Sequence, residues 1–161
     1  MSRVGRYSIC TQVVAVFLAT SAMAATYQPI DGSRIIVLDG DTVALPCVFP
    51  RPGCSERIRL LDIDAPEIFH PDCEEGLKWG LKAKARLAQL LRGKTVYIER
   101  DPKPRKDPYG RTLASLRIGS PSGPNAGMQL LREDLAVPYK TGAVAHEEKR
   151  LYWCGPDAVR K

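Results

Sequence analysis

One long amphipathic helix lies between two groups of short β-type runs, and this order constrains the fold more than any other feature of the chain. Residues 74–91 carry Leu77, Leu81, Ala85, Ala88 and Leu91 at helical spacing, with Lys78, Lys82, Lys84, Arg86 and Arg92 largely off that stripe. Before the helix, Arg34-Ile35-Ile36-Val37-Leu38 and Thr42-Val43-Ala44-Leu45 read as strands around an Asp39-Gly40 turn. Residues 56–62 read as a third strand, with Ile58 and Leu60 on one face and Arg57 and Arg59 on the other. After the helix come two more strands, 95–100 and 111–118, then helices at 128–135 and 141–153. The last of these carries His146, Glu147, Glu148, Lys149 and Arg150, expected mostly in solvent.

Five strands with a helix inserted midway predict an α+β, mainly β, chain: a five-stranded Greek-key barrel of the OB type with three flanking helices. A chain of 161 residues is the size of one domain. Its apolar content of 44% and interspersed charges exclude a disordered chain. The formal charge of +6 makes anions the natural partners, nucleic acid first among them.

The first two dozen residues read as an address. Arg3 and Arg6 precede an apolar run from position 13 to 19, and Ala22-Met23-Ala24 supplies the small residues of a cleavage site. The run is too short to span a bilayer, and Thr20 and Ser21 interrupt it. Residues 1–24 are therefore expected to be a signal peptide and 25–161 a single domain, secreted or periplasmic, with no stable membrane association once the signal is removed. Cleavage removes two arginines and no acids, leaving 22 Lys+Arg against 18 Asp+Glu, or +4. The mature chain is expected to be a monomer.

Export changes how the cysteines are read. Cys10 leaves with the signal, and Cys47, Cys54, Cys73 and Cys154 remain. In an oxidising compartment four cysteines suggest two disulfides, with three connectivities open. The favoured one joins Cys47 to Cys54 across a Pro-rich loop and Cys73 to Cys154, tying the C-terminus to the loop before the first helix. A zinc site is the weaker reading, because close C-x₂₋₄-C pairs are missing from the sequence.

Three segments concentrate polar residues at strand ends: Asp39-Gly40-Asp41-Thr42, Arg59-Leu60-Leu61-Asp62-Ile63-Asp64-Ala65-Pro66-Glu67, and Asp107-Pro108-Tyr109-Gly110-Arg111-Thr112-Leu113-Ala114. Singly, each is an ordinary turn or a solvated loop. Jointly, they suit phosphodiester hydrolysis. Asp41 and Asp64 offer carboxylate oxygens to a hard cation, Glu67 is a candidate general base, and Arg59 and Arg111 can brace a phosphate whose charge is growing. Neither His70 nor His146 falls within the three segments, and both read as ordinary surface residues.

In these motifs, their order and their spacing, the chain resembles the staphylococcal-nuclease-like (thermonuclease) family over roughly residues 33–153. The resemblance implies an OB-fold barrel that cleaves DNA and RNA with Ca²⁺, leaving 3′-phosphate and 5′-hydroxyl ends. It assigns Asp41, Asp64 and the backbone carbonyl of Ala65 to the metal, and Arg59, Glu67 and Arg111 to catalysis. Tyr109 and Tyr139 resemble nucleotide-contacting tyrosines. A lysine that binds a terminal phosphate in the best-known member is replaced by Pro108, leaving Lys106 or Arg105 to substitute. Carboxylate ligands alone admit Mg²⁺ or Mn²⁺ as well as Ca²⁺. The rival readings are a nucleic-acid-binding module without turnover and a Ca²⁺-stabilised structural domain. The first leaves acids facing a polyanion without a use, and the second leaves the two arginines without one.

Overall fold

The computed structural model describes residues 24–46 and 55–158. The signal-type segment and the Cys47–Cys54 loop lie outside the described residues. Eight strands and three α-helices follow in the order β1 (Thr26–Asp31), β2 (Ile36–Val37), β3 (Thr42–Leu45), β4 (Glu56–Leu60), β5 (Ile63–Asp64), α1 (Glu74–Leu91), β6 (Thr95–Arg100), β7 (Thr112–Ile118), α2 (Ala126–Arg132), β8 (Val137–Pro138) and α3 (Ala143–Cys154).

Six strands form one curled sheet in the order β1-β6-β7-β4-β3-β2, and β5 and β8 form a separate two-stranded ribbon. The fold is α+β and OB-like, with three helices around the sheet. Alternation builds its core: Ile58 and Leu60 of β4, Val96 and Ile98 of β6, and Ala114 and Leu116 of β7 are all buried, together with Val43 and Leu45 of β3. Leu87 and Leu91 of α1 and Leu130 of α2 complete it. Among the described residues no helix is long and apolar enough to cross a membrane.

Expectations change at several points: the strand read over 34–38 is only Ile36–Val37, the one read over 56–62 ends at Leu60 before a separate β5, and the helix read over 128–135 is Ala126–Arg132. The sheet gains a sixth strand, β1, which pairs only with β6 and is exposed along nearly its whole length. Its Pro29 is tolerated because an edge strand has one side free of ladder hydrogen bonds. The buried stripe of α1 is also rotated from the one read from the sequence. It runs through Gly76, Trp79, Gly80, Ala83, Leu87 and Leu91, whereas Leu81 is exposed and Ala85 lies at the surface. Small residues, invisible to a count of large apolar ones, let the turn at Gly40, the Pro66–Glu67 loop and the end of α3 approach the helix closely.

The ends of α1 and α3 meet. Trp153 is buried against Trp79 with ring centroids 5.8 Å apart, and the Trp79 indole N–H donates to the Ala158 carbonyl at 3.3 Å. Cys73 caps α1, its sulfur accepting from the Gly76 N–H at 3.1 Å, and its sulfur meets that of Cys154, with Cα atoms 5.9 Å apart.

Candidate active site

Sheet register brings the three polar segments together. In the β3–β4 ladder Thr42 faces Arg59, and in the parallel β4–β7 pair Arg59 faces Leu113, two residues beyond Arg111. Three stretches far apart in sequence thus end side by side on adjacent strands. The Leu60 N–H donates to the Asp41 carbonyl at 2.8 Å and the Leu61 N–H to the Ala114 carbonyl at 3.1 Å, which fixes both neighbours of β4.

The turn carrying Asp41 is set by close packing. A Cβ on Gly40 would stand 2.6 Å from the Ala65 Cβ and 2.7 Å from the Ala83 Cβ of α1. The Asp-Gly pair had read as an ordinary hairpin turn, yet Gly40 is outside the left-handed region that would require glycine. What requires glycine here is the contact with α1. Asp39 completes the turn by accepting the Asp41 N–H at 3.0 Å. Burial pushes the Asp39 carboxyl above its ordinary range, against hydrogen bonds from Thr42 and the charges of Arg59 and Arg111.

Around this turn runs a chain of polar contacts. The Arg111 Nη1 donates to the Thr42 hydroxyl at 3.1 Å, and that hydroxyl donates to Asp41 Oδ1 at 3.1 Å. Asp41 Oδ2 accepts the Ala65 N–H at 2.7 Å and pairs with Arg59 Nη1. The other arm of the same guanidinium, Nη2, donates to Asp64 Oδ1 at 2.9 Å. Asp64 Oδ2 in turn meets the Lys149 ammonium of α3 at 3.0 Å. Lys149, expected in solvent, has a side chain only 13% exposed. The sequence carries no signal for this contact.

Asp107 holds the second arginine. It accepts the Arg111 Nε at 2.5 Å and the backbone N–H groups of Tyr109 and Arg111 at 2.9 Å each. Burial acts to raise its pKa, but the hydrogen bonds and charge of Arg111 outweigh burial and hold the carboxyl below its ordinary range. The Arg111 guanidinium stands 5.4 Å from the centre of the Tyr109 ring.

Arg59, Asp64, Lys106, Tyr109, Arg111 and Tyr139 border one cleft of about 620 Å³. Tyr109 and Tyr139 project at its mouth, 84% and 55% exposed, and the Tyr139 N–H donates to the Asp62 carbonyl at 3.0 Å. Asp41 is buried and reaches the cleft through its pairing with Arg59. Glu67 stands apart. It is exposed, and its carboxylate makes no hydrogen bond or ion pair with the other described site residues. Its backbone is placed by Gly80 of α1, where a Cβ would come within 2.8 Å of the Pro66 carbonyl oxygen and 3.3 Å of that of Glu67.

The family model described as staphylococcal nuclease homologue matches residues 57–154 of the chain. The chain belongs to the staphylococcal nuclease family. The match includes Arg59, Asp64, Glu67, Arg111 and α3, and begins after Asp41 and the whole of β3. An uncharacterized endonuclease of Escherichia coli O157:H7 is 32% identical over 143 residues, covering 81% of each chain. A thermonuclease of Staphylococcus intermedius is 36% identical over 83 residues, 52% of this chain and 46% of that one. Endonuclease YhcR of Bacillus subtilis is 33% identical over 116 residues, 70% of this chain and 9% of that one. The chain thus spans about half of the thermonuclease and a small part of the endonuclease YhcR.

As a cation site for this family member, the donor set is hard: two carboxylates facing one guanidinium, beside the Ala65 backbone. Among the described residues no group of three or more His, Cys, Asp or Glu gathers. A cation here would take two carboxylates, a carbonyl and water, which fits an oxygen-seeking divalent ion and not a thiolate or imidazole metal.

Proposed function

We propose that the protein is an exported nuclease that hydrolyses phosphodiester bonds of DNA and RNA with Ca²⁺, leaving 3′-phosphate and 5′-hydroxyl ends. The observation that carries this reading is the polar chain Arg111–Thr42–Asp41–Arg59–Asp64, of which Arg111, Arg59 and Asp64 line a cleft bordered by two exposed tyrosines. The family membership and the nuclease names of its relatives support it.

Asp41, Asp64 and the Ala65 carbonyl would hold the cation, which supplies electrophilic polarisation of a phosphoryl oxygen. Glu67 takes a proton from the attacking water as the new P–O bond forms. The bond from phosphorus to the 5′ oxygen breaks, and that oxygen leaves and is protonated. Arg59 and Arg111 stabilise the extra negative charge on the equatorial oxygens. Tyr109 and Tyr139 offer ring faces to bases on either side, and Lys106 a charge to a neighbouring phosphate. An exposed Glu67 is open to a water on the substrate, and its having no partner among the described site residues fits that role.

We assign the compartment from the signal-type N-terminus, and take the Cys73–Cys154 contact as a disulfide formed there. The mature protein acts as a monomer.

The test is to incubate purified mature protein with single-stranded DNA, double-stranded DNA and RNA, with Ca²⁺ or with chelator. Cleavage that needs the cation, and is largely lost in Glu67→Gln while DNA binding persists, supports the nuclease. Binding without cleavage under Ca²⁺, Mg²⁺ and Mn²⁺ would instead make the chain a nucleic-acid-binding module.

A further inference from the structure

Asp64 is held from both sides. Its Oδ1 accepts from Arg59 at 2.9 Å, and its Oδ2 meets the Lys149 ammonium at 3.0 Å. Arg59 also serves Asp41, so two carboxylates face two cationic side chains and their charges cancel. Affinity for a hard divalent cation rises with the net negative charge of its ligands. A site balanced in this way binds such an ion weakly unless one of the side chains yields.

Lys149 belongs to none of the three polar segments. It arrives on α3, whose C-terminal end is fixed against α1 by the Trp153–Trp79 packing and the Cys73–Cys154 contact. The ammonium lies beside a recess of about 240 Å³ between α3 and β8, bordered also by Lys140, Glu148 and Tyr152. Lys140 pairs with Glu148 at 2.9 Å and is therefore engaged elsewhere. Lys149 is the cation that this recess delivers to Asp64.

We propose that Lys149 is a built-in competitor of the divalent cation for Asp64, and that it sets the affinity of the site. This rests on the reading of Asp41 and Asp64 as cation ligands. An ordinary structural ion pair tying α3 to β5 would use the same contact. It would affect unfolding, and leave the affinity for Ca²⁺ where it was.

Calorimetric titration of Ca²⁺ into chelator-treated protein separates the two. Lys149→Met removes a positive charge beside a doubly charged ion and is expected to tighten Ca²⁺ binding by about tenfold or more. Lys149→Gln keeps a hydrogen-bond donor for Asp64 without the charge, and is expected to tighten it similarly. Lys149→Arg keeps the charge and is expected to bind Ca²⁺ much as the unchanged chain does. Thermal unfolding of each variant without Ca²⁺ shows that it is folded. Unchanged or weaker binding in both neutral variants overturns the proposal and leaves the cation site standing. If neither the unchanged chain nor the two neutral variants bind Ca²⁺, the cation site falls and the proposal falls with it.

Discussion

Arg59 and Asp64, five positions apart, face each other at 2.9 Å across a reversal of the chain in which Asp62 takes a left-handed backbone conformation. The reversal sends β4 into β5 and turns Asp64 back toward the guanidinium that also holds Asp41. One arginine thereby joins two acids from different strands. With its side chain 11% exposed, Arg59 is structurally committed to both acids.

Arg59→Met is expected to leave both acids without their shared cation. Without a divalent ion, urea unfolding should show a loss of about 3–5 kcal/mol. Turnover should fall by about 10²–10³, as for loss of one positioned donor. Added Ca²⁺ should restore part of the stability and none of the turnover.

Asp107→Asn is expected to act through Arg111 and through pH. The folded-state pKa of Asp107 is depressed, so its contribution to stability is complete above the unfolded value, about 3.9. That contribution fades as pH falls from there through the lower folded value. Acid unfolding curves of the unchanged chain should carry this component, and those of Asp107→Asn should lack it. At neutral pH the variant should also turn over more slowly, because Arg111 loses the carboxylate that holds its Nε.

Tyr109→Ala and Tyr139→Ala remove ring faces at the cleft mouth and little of the core. Stacking at about 1–3 kcal/mol per base predicts a rise in KM of roughly 5-fold to 150-fold. Melting temperature should hardly move, and kcat should change less than KM in steady-state assays on a defined oligonucleotide.

Gly40→Ala is expected to force the Asp41 turn away from Ala65 and Ala83. Overpacking of this kind costs about 1–3 kcal/mol. The fall in turnover should exceed what that destabilisation explains, because Asp41 moves with the turn. Adding Ala83→Gly should restore part of both, seen in melting temperature and in kcat.

Much of the fold was legible because it rests on local pattern. The bounds of α1 and β6 follow from periodicity and flanking turn residues, and the acids and arginines stood out by their density at strand ends. What escaped depends on packing between distant parts. The buried face of α1 is defined by Gly76, Gly80 and Ala83, whose small size matters only once the end of α3, a loop and a turn lie on them. Edge strand β1, exposed nearly throughout, has no alternation to reveal it. The Thr42 hydroxyl between Arg111 and Asp41, and Lys149 against Asp64, exist only through tertiary contact.

The missing methyl at Gly40 extends the site's dependence into a helix that lends it no reacting group. Because Ala83 is the surface on which the Asp41 turn is moulded, any sideways creep of α1, even from repacking around Leu87 one turn further along, would be handed directly to the Asp41 carboxylate. Drift in the scaffold should therefore surface first as altered cation demand, well before the protein begins to melt.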